Sequence, residues 1–181
     1  MKRQAQVQDS RERIEQGLLV SANHATYSQV SNTQIAKAAG VSRMTFYRHF
    51  RNKRDVLISL LERLSVGMSA VDLTSSLRRR FEILQEHPTL RLLLSDPEAR
   101  EIFRDYRWRR SPEILPEASD AGALYRRAFV FAGLDAMALM WLENGMKEPV
   151  HDMVELARDV IQSNAGAESG ERDIRSRHVQ P

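Results

Sequence analysis

Apolar residues recur along almost the whole chain in steps of three and four, the spacing that places them on one side of a helix. The first series runs from about Ser10 to Ala25 and predicts helix one. The sequence contains no run of alternating β-branched residues that would predict a strand. The pattern therefore predicts an all-α fold. Two prolines, Pro112 and Pro116, predict one longer loop. A long apolar stripe predicts helix four: Leu57, Leu60, Leu61, Leu64 and Met68. Helix five is predicted by Leu73, Leu77, Phe81 and Leu84, and a short helix six by Leu90 to Leu94.

Residues 31 to 40 have the signals of a short capped helix. Ser31 followed by Gln34 has capping-box spacing, in which each side chain bonds to the other residue's backbone amide. Gly40 suits the left-handed conformation that ends a helix and reverses the chain. These signals predict helix two and the tight turn after it.

The segment after this turn predicts a third helix suited to lie against DNA. Ser42 is placed to cap it, and Phe46 and Phe50, four residues apart, face the core. Its outer side offers an arginine able to bond guanine bidentately, apolar groups suited to thymine, and groups suited to phosphate oxygens. The predicted DNA-contacting residues are Thr33, Ser42, Arg43, Met44, Thr45, Tyr47, Arg48, His49 and Lys53.

A fourth helix is expected to begin at Lys53. Asn52 and Asp55 have capping-box spacing, and the Lys53 amide and ammonium are both placed to face a phosphate. The charge distribution agrees, because residues 1 to 55 hold 10 Lys and Arg against 4 Asp and Glu, a net of +6. The remainder has a net of −3 within an overall charge of +3. The basic end is therefore the expected nucleic-acid end.

These motifs resemble the DNA-binding domain of the TetR family of bacterial transcriptional regulators, from about Asp9 to Leu61. Thr33 departs from the pattern, because many relatives carry arginine or another long polar residue there, and this shortens or removes a contact from helix two. The matching residues are Ile35-Ala36, Ala39-Gly40-Val41-Ser42, Phe46-Tyr47-Arg48-His49-Phe50, Lys53 and Asp55-Val56-Leu57.

The resemblance implies a three-helix DNA-binding domain over residues 1–55 and a helical dimerisation and effector domain over 56–163. Residues 164–181 are rich in Gly, Ser, Glu and Arg and are expected to form a disordered tail. By analogy with the family, we expect a cytoplasmic homodimer that binds a palindromic double-stranded operator and is released by a ligand, as a repressor. The region from Gly133 to Pro149 also resembles the dihydroxyacetone-kinase-operon regulators of this family.

The most apolar segment, from Ala128 to Leu142, is interrupted only by Gly133 and Asp135. It is shorter than the roughly 20 residues that cross a bilayer, so we expect a buried or dimer-interface helix and no membrane span. A last amphipathic helix opens at Pro149. The predicted dimer interface comprises Phe129, Ala132, Gly133, Ala136, Met140, Val154, Ala157 and Ile161.

An effector site is expected among aromatic and apolar residues of the C-terminal region. Its lining has few polar groups, which favours a hydrophobic or aromatic small molecule. The alternative is that these side chains are only core. The candidate residues are Phe81, Leu84, Phe103, Tyr106, Met137 and Trp141.

Catalysis is not expected. The five histidines show no paired metal-ligand spacing, there is no cysteine, and no glycine-rich loop follows a strand. We therefore predict no enzyme activity, no metal and no cofactor. Two alternatives remain: a co-activator acting through a partner protein, and an architectural protein that coats DNA. Footprinting that is selective rather than uniform separates a regulator from the architectural protein.

Overall fold

The computed structural model describes residues 2–65, 72–110 and 120–177, and the side chains of these ranges from residue 7 to residue 163. Within these ranges the chain forms helices and no strand, which confirms the predicted all-α fold. The predicted continuation of helix four to Met68 and the predicted loop at Pro112 and Pro116 lie outside the described residues. The helices are α1 Lys2–Ala22, a 3-10 turn Tyr27–Gln29, α2 Asn32–Ala38, α3 Arg43–His49, α4 Lys53–Leu64, α5 Leu73–Glu86, α6 Pro88–Leu94, α7 Pro97–Arg109, α8 Ala121–Glu143 and α9 Val150–Arg177.

The two terminal helices are longer than the sequence predicted. α1 begins at Lys2 rather than near Ser10, and α9 continues to Arg177, past Ser163. The first extension holds three Gln with Lys, Arg and Ala, and the second holds Arg, Glu and Ala among its Gly and Ser; the good helix formers in each let a helix that has started continue at little cost. Apolar spacing marks only the part of a helix that packs, so it placed these ends too far inward.

Contacts divide the chain into two compact units. The first comprises residues 1–67 and 86–109, and the second comprises 68–85 and 110–181. The first unit therefore includes α4, α6 and α7 in addition to the DNA-binding domain expected over 1–55. The second unit contains α5, α8 and α9.

In the first unit, α1 packs closely across α2. Ile14 and Leu18 on this face of α1 are completely buried. Between them, Gly17 has no side chain, and an added Cβ would lie 2.6 Å from the carbonyl oxygen of Ile35 and 2.9 Å from the Cβ of Ala39. The two backbones approach this closely because position 17 is glycine.

A buried carboxylate joins α1 to α4. Glu15 accepts a hydrogen bond of 2.7 Å from the Ser59 hydroxyl and is ion-paired with Arg63. Arg11 donates in turn to the Ser59 oxygen at 2.9 Å. The charge of Glu15 is therefore compensated, which matters because removing one partner of a buried ion pair leaves an uncompensated charge.

A second buried carboxylate joins the 3-10 turn to the start of α7. Asp96 accepts hydrogen bonds from the Ser28 amide at 2.9 Å and hydroxyl at 2.7 Å, and from the Glu98 amide at 2.8 Å. Burial raises the pKa of Asp96, but the hydrogen bonds together lower it by more than burial raises it, so the pKa lies below its ordinary value. This link therefore stabilises the unit at neutral pH and is lost as the pH falls through the lowered pKa.

The second unit is built around α8. Trp141 is buried against Phe81 of α5 in an edge-to-face pair with ring centroids 5.4 Å apart, and its indole N–H donates to the Glu148 carbonyl at 3.0 Å. The helix ends where predicted, because Gly145 has a φ of 78° and the Met146 amide bonds back to the Trp141 carbonyl at 2.8 Å.

We predict that Gly17→Ala destabilises the first unit by about 1–3 kcal/mol, because the new methyl group meets backbone atoms that must shift. Thermal or urea unfolding measures this loss. Gln16→Ala, which alters an exposed neighbour on the same helix, serves as the control and should leave stability nearly unchanged. Equal stability of the two variants would contradict the close approach of α1 to α2.

Candidate nucleic-acid interface

The helix-turn-helix predicted from residues 31 to 53 is present with the predicted caps. The Gln34 amide donates to the Ser31 hydroxyl at 3.2 Å, and the Gln34 side chain accepts from the Ser31 amide at 2.8 Å. Gly40 has a φ of 63°, and the Val41 amide bonds to the Ala36 carbonyl at 3.0 Å across the turn. The capping box at Ser31 and the left-handed glycine at Gly40 are therefore both formed as the sequence predicted.

Arg13 of α1 fixes the turn from outside. Its guanidinium donates to the carbonyls of Ala39 at 3.0 Å and Gly40 at 3.1 Å. These carbonyls end α2 and have no partner within the helix, so a cation near them is doubly favourable. The turn between α2 and α3 is therefore held by α1 as well as by its own glycine.

α3 is anchored by one apolar face and presents the other outward. Ser42 caps it by accepting from the Thr45 amide at 3.0 Å, while Phe46 and Phe50 are buried as predicted. Thr45 and His49 are half-buried at the edge of the outer face. The exposed predicted residues of this segment are Ser42, Arg43, Met44, Tyr47 and Arg48, together with Thr33 on α2.

The outer face of α3 forms an open depression lined by Arg43, Met44, Tyr47 and Arg48. Met44 is 74% exposed although its side chain is large and apolar. An exposed apolar side chain that shares this depression with two arginines suits the floor of the major groove, where thymine methyl groups and guanine acceptors lie side by side. This surface has the chemistry that reads DNA sequence.

Two groups beside α3 have shifted pKa values. A hydrogen bond from Asn32, with help from the nearby Arg43 guanidinium, lowers the pKa of Tyr47; the Asn32 amide nitrogen lies 3.5 Å from the phenol oxygen. Partial burial, followed by the charges of Arg11 and Arg48, lowers the pKa of His49. His49 is therefore neutral at pH 7 and suited to donate one hydrogen bond rather than a charge.

The structure places the Lys53 ammonium differently from the sequence expectation. It donates to the carbonyls of Tyr27 at 2.9 Å and Ser28 at 3.1 Å and to the Glu98 carboxylate at 3.1 Å. Its side chain is only 18% exposed. The expected helix start is nevertheless present, since Asn52 accepts from the Asp55 amide at 3.0 Å.

The predicted dimer residues fall into two groups. Those of α8, which are Phe129, Ala132, Gly133, Ala136 and Met140, are all exposed along one face. Those of α9 differ, because Val154 is 1% exposed, Ala157 is fully buried and Ile161 is half-buried. Val154 and Ala157 pack inside their own unit and are not available to a second chain.

The predicted effector residues are divided between the two units. Phe81, Leu84 and Trp141 are buried in the second unit, where Met137 is half-buried. Phe103 and Tyr106 belong to α7 in the first unit and are half-buried. The indole N–H of Trp141 is already bonded within the chain, so this tryptophan contributes an apolar surface rather than a donor.

The sequence did not reveal the residues that hold in place the outer face of α3, which is lined by Arg43, Met44, Tyr47 and Arg48 and is called the reading surface below. Arg13, Arg11 and Asn32 act on residues far along the chain; Arg11, for example, stacks over the Phe50 ring at 4.7 Å. No local pattern marks such partners, because their spacing depends on how α1 crosses the other helices. For Gly17 a signal was available, because a glycine in the middle of a helix often marks a close approach of another backbone.

Comparison with known proteins agrees with this geometry. Residues 22–60 match the sequence family described as bacterial regulatory proteins, tetR family. This match identifies the helix-turn-helix segment as a TetR-family domain, the DNA-binding domain of transcriptional regulators. A search of curated protein sequences finds no match.

Solved structures share the fold of this chain over most of its length. A TetR regulator from Streptococcus agalactiae has a TM-score of 0.65 at 20% identity, covering 89% of this chain and 98% of that one. FadR from Bacillus subtilis, in complex with stearoyl-CoA, has a TM-score of 0.56 at 24% identity, covering 84% and 96%. The dihydroxyacetone kinase operon activator DhaS has a TM-score of 0.55 at 14% identity, covering 85% and 94%.

Two features are absent from the described residues. They contain no group of three or more His, Cys, Asp or Glu side chains arranged to hold a metal ion. Within the same ranges, no helix combines the length and apolar character that crossing a membrane requires.

We predict that Arg43→Ala and Tyr47→Phe affect DNA binding differently. Arg43→Ala should cost about 1–3 kcal/mol on a preferred sequence and relax selectivity at one position, because it removes a base contact. Tyr47→Phe should weaken binding evenly across sequences, because it removes a phosphate contact. Titration of a selected duplex and a random duplex measures both effects. Equal losses of Arg43→Ala on the two duplexes would exclude base reading by this residue.

Proposed function

We propose that this TetR-family regulator acts as a homodimer that represses transcription and is released by an apolar effector. The exposed outer face of α3 is the observation that carries the proposal, because it combines guanidinium, apolar and hydroxyl groups on one surface. Each subunit inserts α3 into a major groove, and a two-fold protein requires a two-fold operator with half-sites about one helical turn, or a multiple of it, apart.

The exposed face of α8 supports dimerisation. Tyr125 is 73% exposed, Phe129 69% and Met140 61%, and the small residues Ala132 and Ala136 lie between them. This stripe extends along about 22 Å of helix. An added Cβ at the intervening Gly133 would meet nothing within 4 Å in its own chain. Large apolar side chains flanking a low ridge suit a second copy of the same helix, since an isologous interface uses one patch twice.

We predict that Ala136→Arg releases monomers and abolishes operator binding, because it places a charge at the centre of the α8 stripe. Sedimentation velocity gives the oligomeric state, and DNA titration gives the functional result. Ala136→Ser changes the same site without charge, and Gln162→Arg adds the same charge to an exposed position of α9; both should stay dimeric. A dimer that survives Ala136→Arg would place the interface elsewhere.

An apolar effector fits the second unit best. Phe81, Leu84, Met137 and Trp141 bring aromatic and aliphatic surface together within this unit. FadR, which has this fold, binds stearoyl-CoA, a ligand with a long apolar chain. Release then follows if the ligand binds the DNA-competent conformation less tightly than another conformation.

The effector proposal predicts a change in Trp141 fluorescence. The chain has two tryptophans, so Trp108→Phe leaves Trp141 as the only indole. Titration of this variant with stearoyl-CoA and with simple aromatic acids should give a saturable change in emission for one class and a parallel loss of DNA binding. Emission that stays constant with all probes while DNA binding is unaffected would assign these side chains to the core alone.

A further inference from the structure

The start of α4 carries two basic residues, and both face acidic residues of α7. The Lys53 ammonium lies 3.1 Å from the Glu98 carboxylate, and the Arg54 guanidinium lies 3.6 Å from the Asp105 carboxylate. Glu98 and Asp105 are seven residues apart, so they occupy one face of α7 two turns apart. All four residues belong to the first unit. One acidic face of α7 is therefore ion-paired with the basic residues at the start of α4.

These contacts occupy the hydrogen-bonding capacity of the lysine. An ammonium has three donors, and Lys53 uses them on the carbonyls of Tyr27 and Ser28 and on Glu98. The same ammonium lies 4.5 Å from the centre of the Tyr27 ring. A DNA phosphate that approaches the start of α4 must therefore compete with the Glu98 carboxylate for this cation.

We propose that the acidic face of α7 competes with DNA phosphates for Lys53 and Arg54 and thereby sets the affinity of the protein for DNA. This inference rests on the proposed DNA-binding function and on the contact of Lys53 with a DNA phosphate that the sequence predicts, to which it adds Arg54. Glu98 and Asp105 lie outside the helix-turn-helix and touch no base in this scheme. They act as internal anions that a phosphate displaces, so a change in the position of α7 alters DNA affinity through charge alone.

The test compares full-length variants on a random duplex, with the dissociation constant measured from 50 to 200 mM salt. Glu98→Gln should bind several-fold more tightly than the parent at low salt. Each newly available phosphate contact steepens the logarithmic salt dependence by about 0.9, so the gain should be roughly threefold larger at 50 mM than at 200 mM. Asp105→Asn should repeat this behaviour through Arg54.

Two controls separate competition from a general change in charge. Glu101→Gln removes the same charge from the same helix, but Glu101 is paired with Arg104 of α7 itself at 3.9 Å. In a Lys53→Gln background, Glu98→Gln should give no more than the small gain of Glu101→Gln. Circular dichroism of each variant checks that the fold is retained.

The outcomes are distinct. A gain from Glu98→Gln that persists in the Lys53→Gln background, or that equals the gain from Glu101→Gln, overturns the competition. Weaker binding by Glu98→Gln and Asp105→Asn overturns it as well, because the carboxylates would then be positioning the cations for DNA. Failure of the parent protein to bind any duplex would instead refute the DNA contact on which the inference rests.

Discussion

The packing of α1 across α2 supports the reading surface. α2 and α3 have seven residues each, and isolated helices of fewer than about 12 residues are marginal in water. Their stability must come from caps and from tertiary packing, which the contact at Gly17 and the bonds from Arg13 provide. Because this support lies on the inner side, the outer side of α3 is free to carry side chains chosen for DNA.

The first unit contains two kinds of carboxylate near that surface, buried and exposed. Buried carboxylates at Glu15 and Asp96 join helices from different parts of the chain, and each has specific partners. Glu98 differs, because it is about half exposed and bonded to a cation at the start of α4. A structural carboxylate is costly to disturb, whereas an exposed one is easily exchanged for another anion.

Sequence reasoning worked where a residue acts on its neighbours and was incomplete where it acts across the fold. The caps at Ser31, Ser42 and Asn52 and the turn at Gly40 follow from local backbone chemistry. The exposed stripe of α8 follows from its unusual run of small and apolar residues. The inward position of the Lys53 ammonium did not follow, because Glu98 comes to it through the packing of α7 on α4. The same limit kept Val154 and Ala157 from being recognised as core.

Selection of binding sequences from a random duplex pool tests the central claim most directly, because that claim joins a reading surface on α3 to a two-fold assembly. Full-length protein should enrich an inverted repeat whose half-sites are centred about one helical turn, or a multiple of it, apart. Protein carrying Arg43→Ala should lose preference at symmetric positions of both half-sites. Enrichment of a single half-site, or of no sequence above the starting pool, would contradict the account.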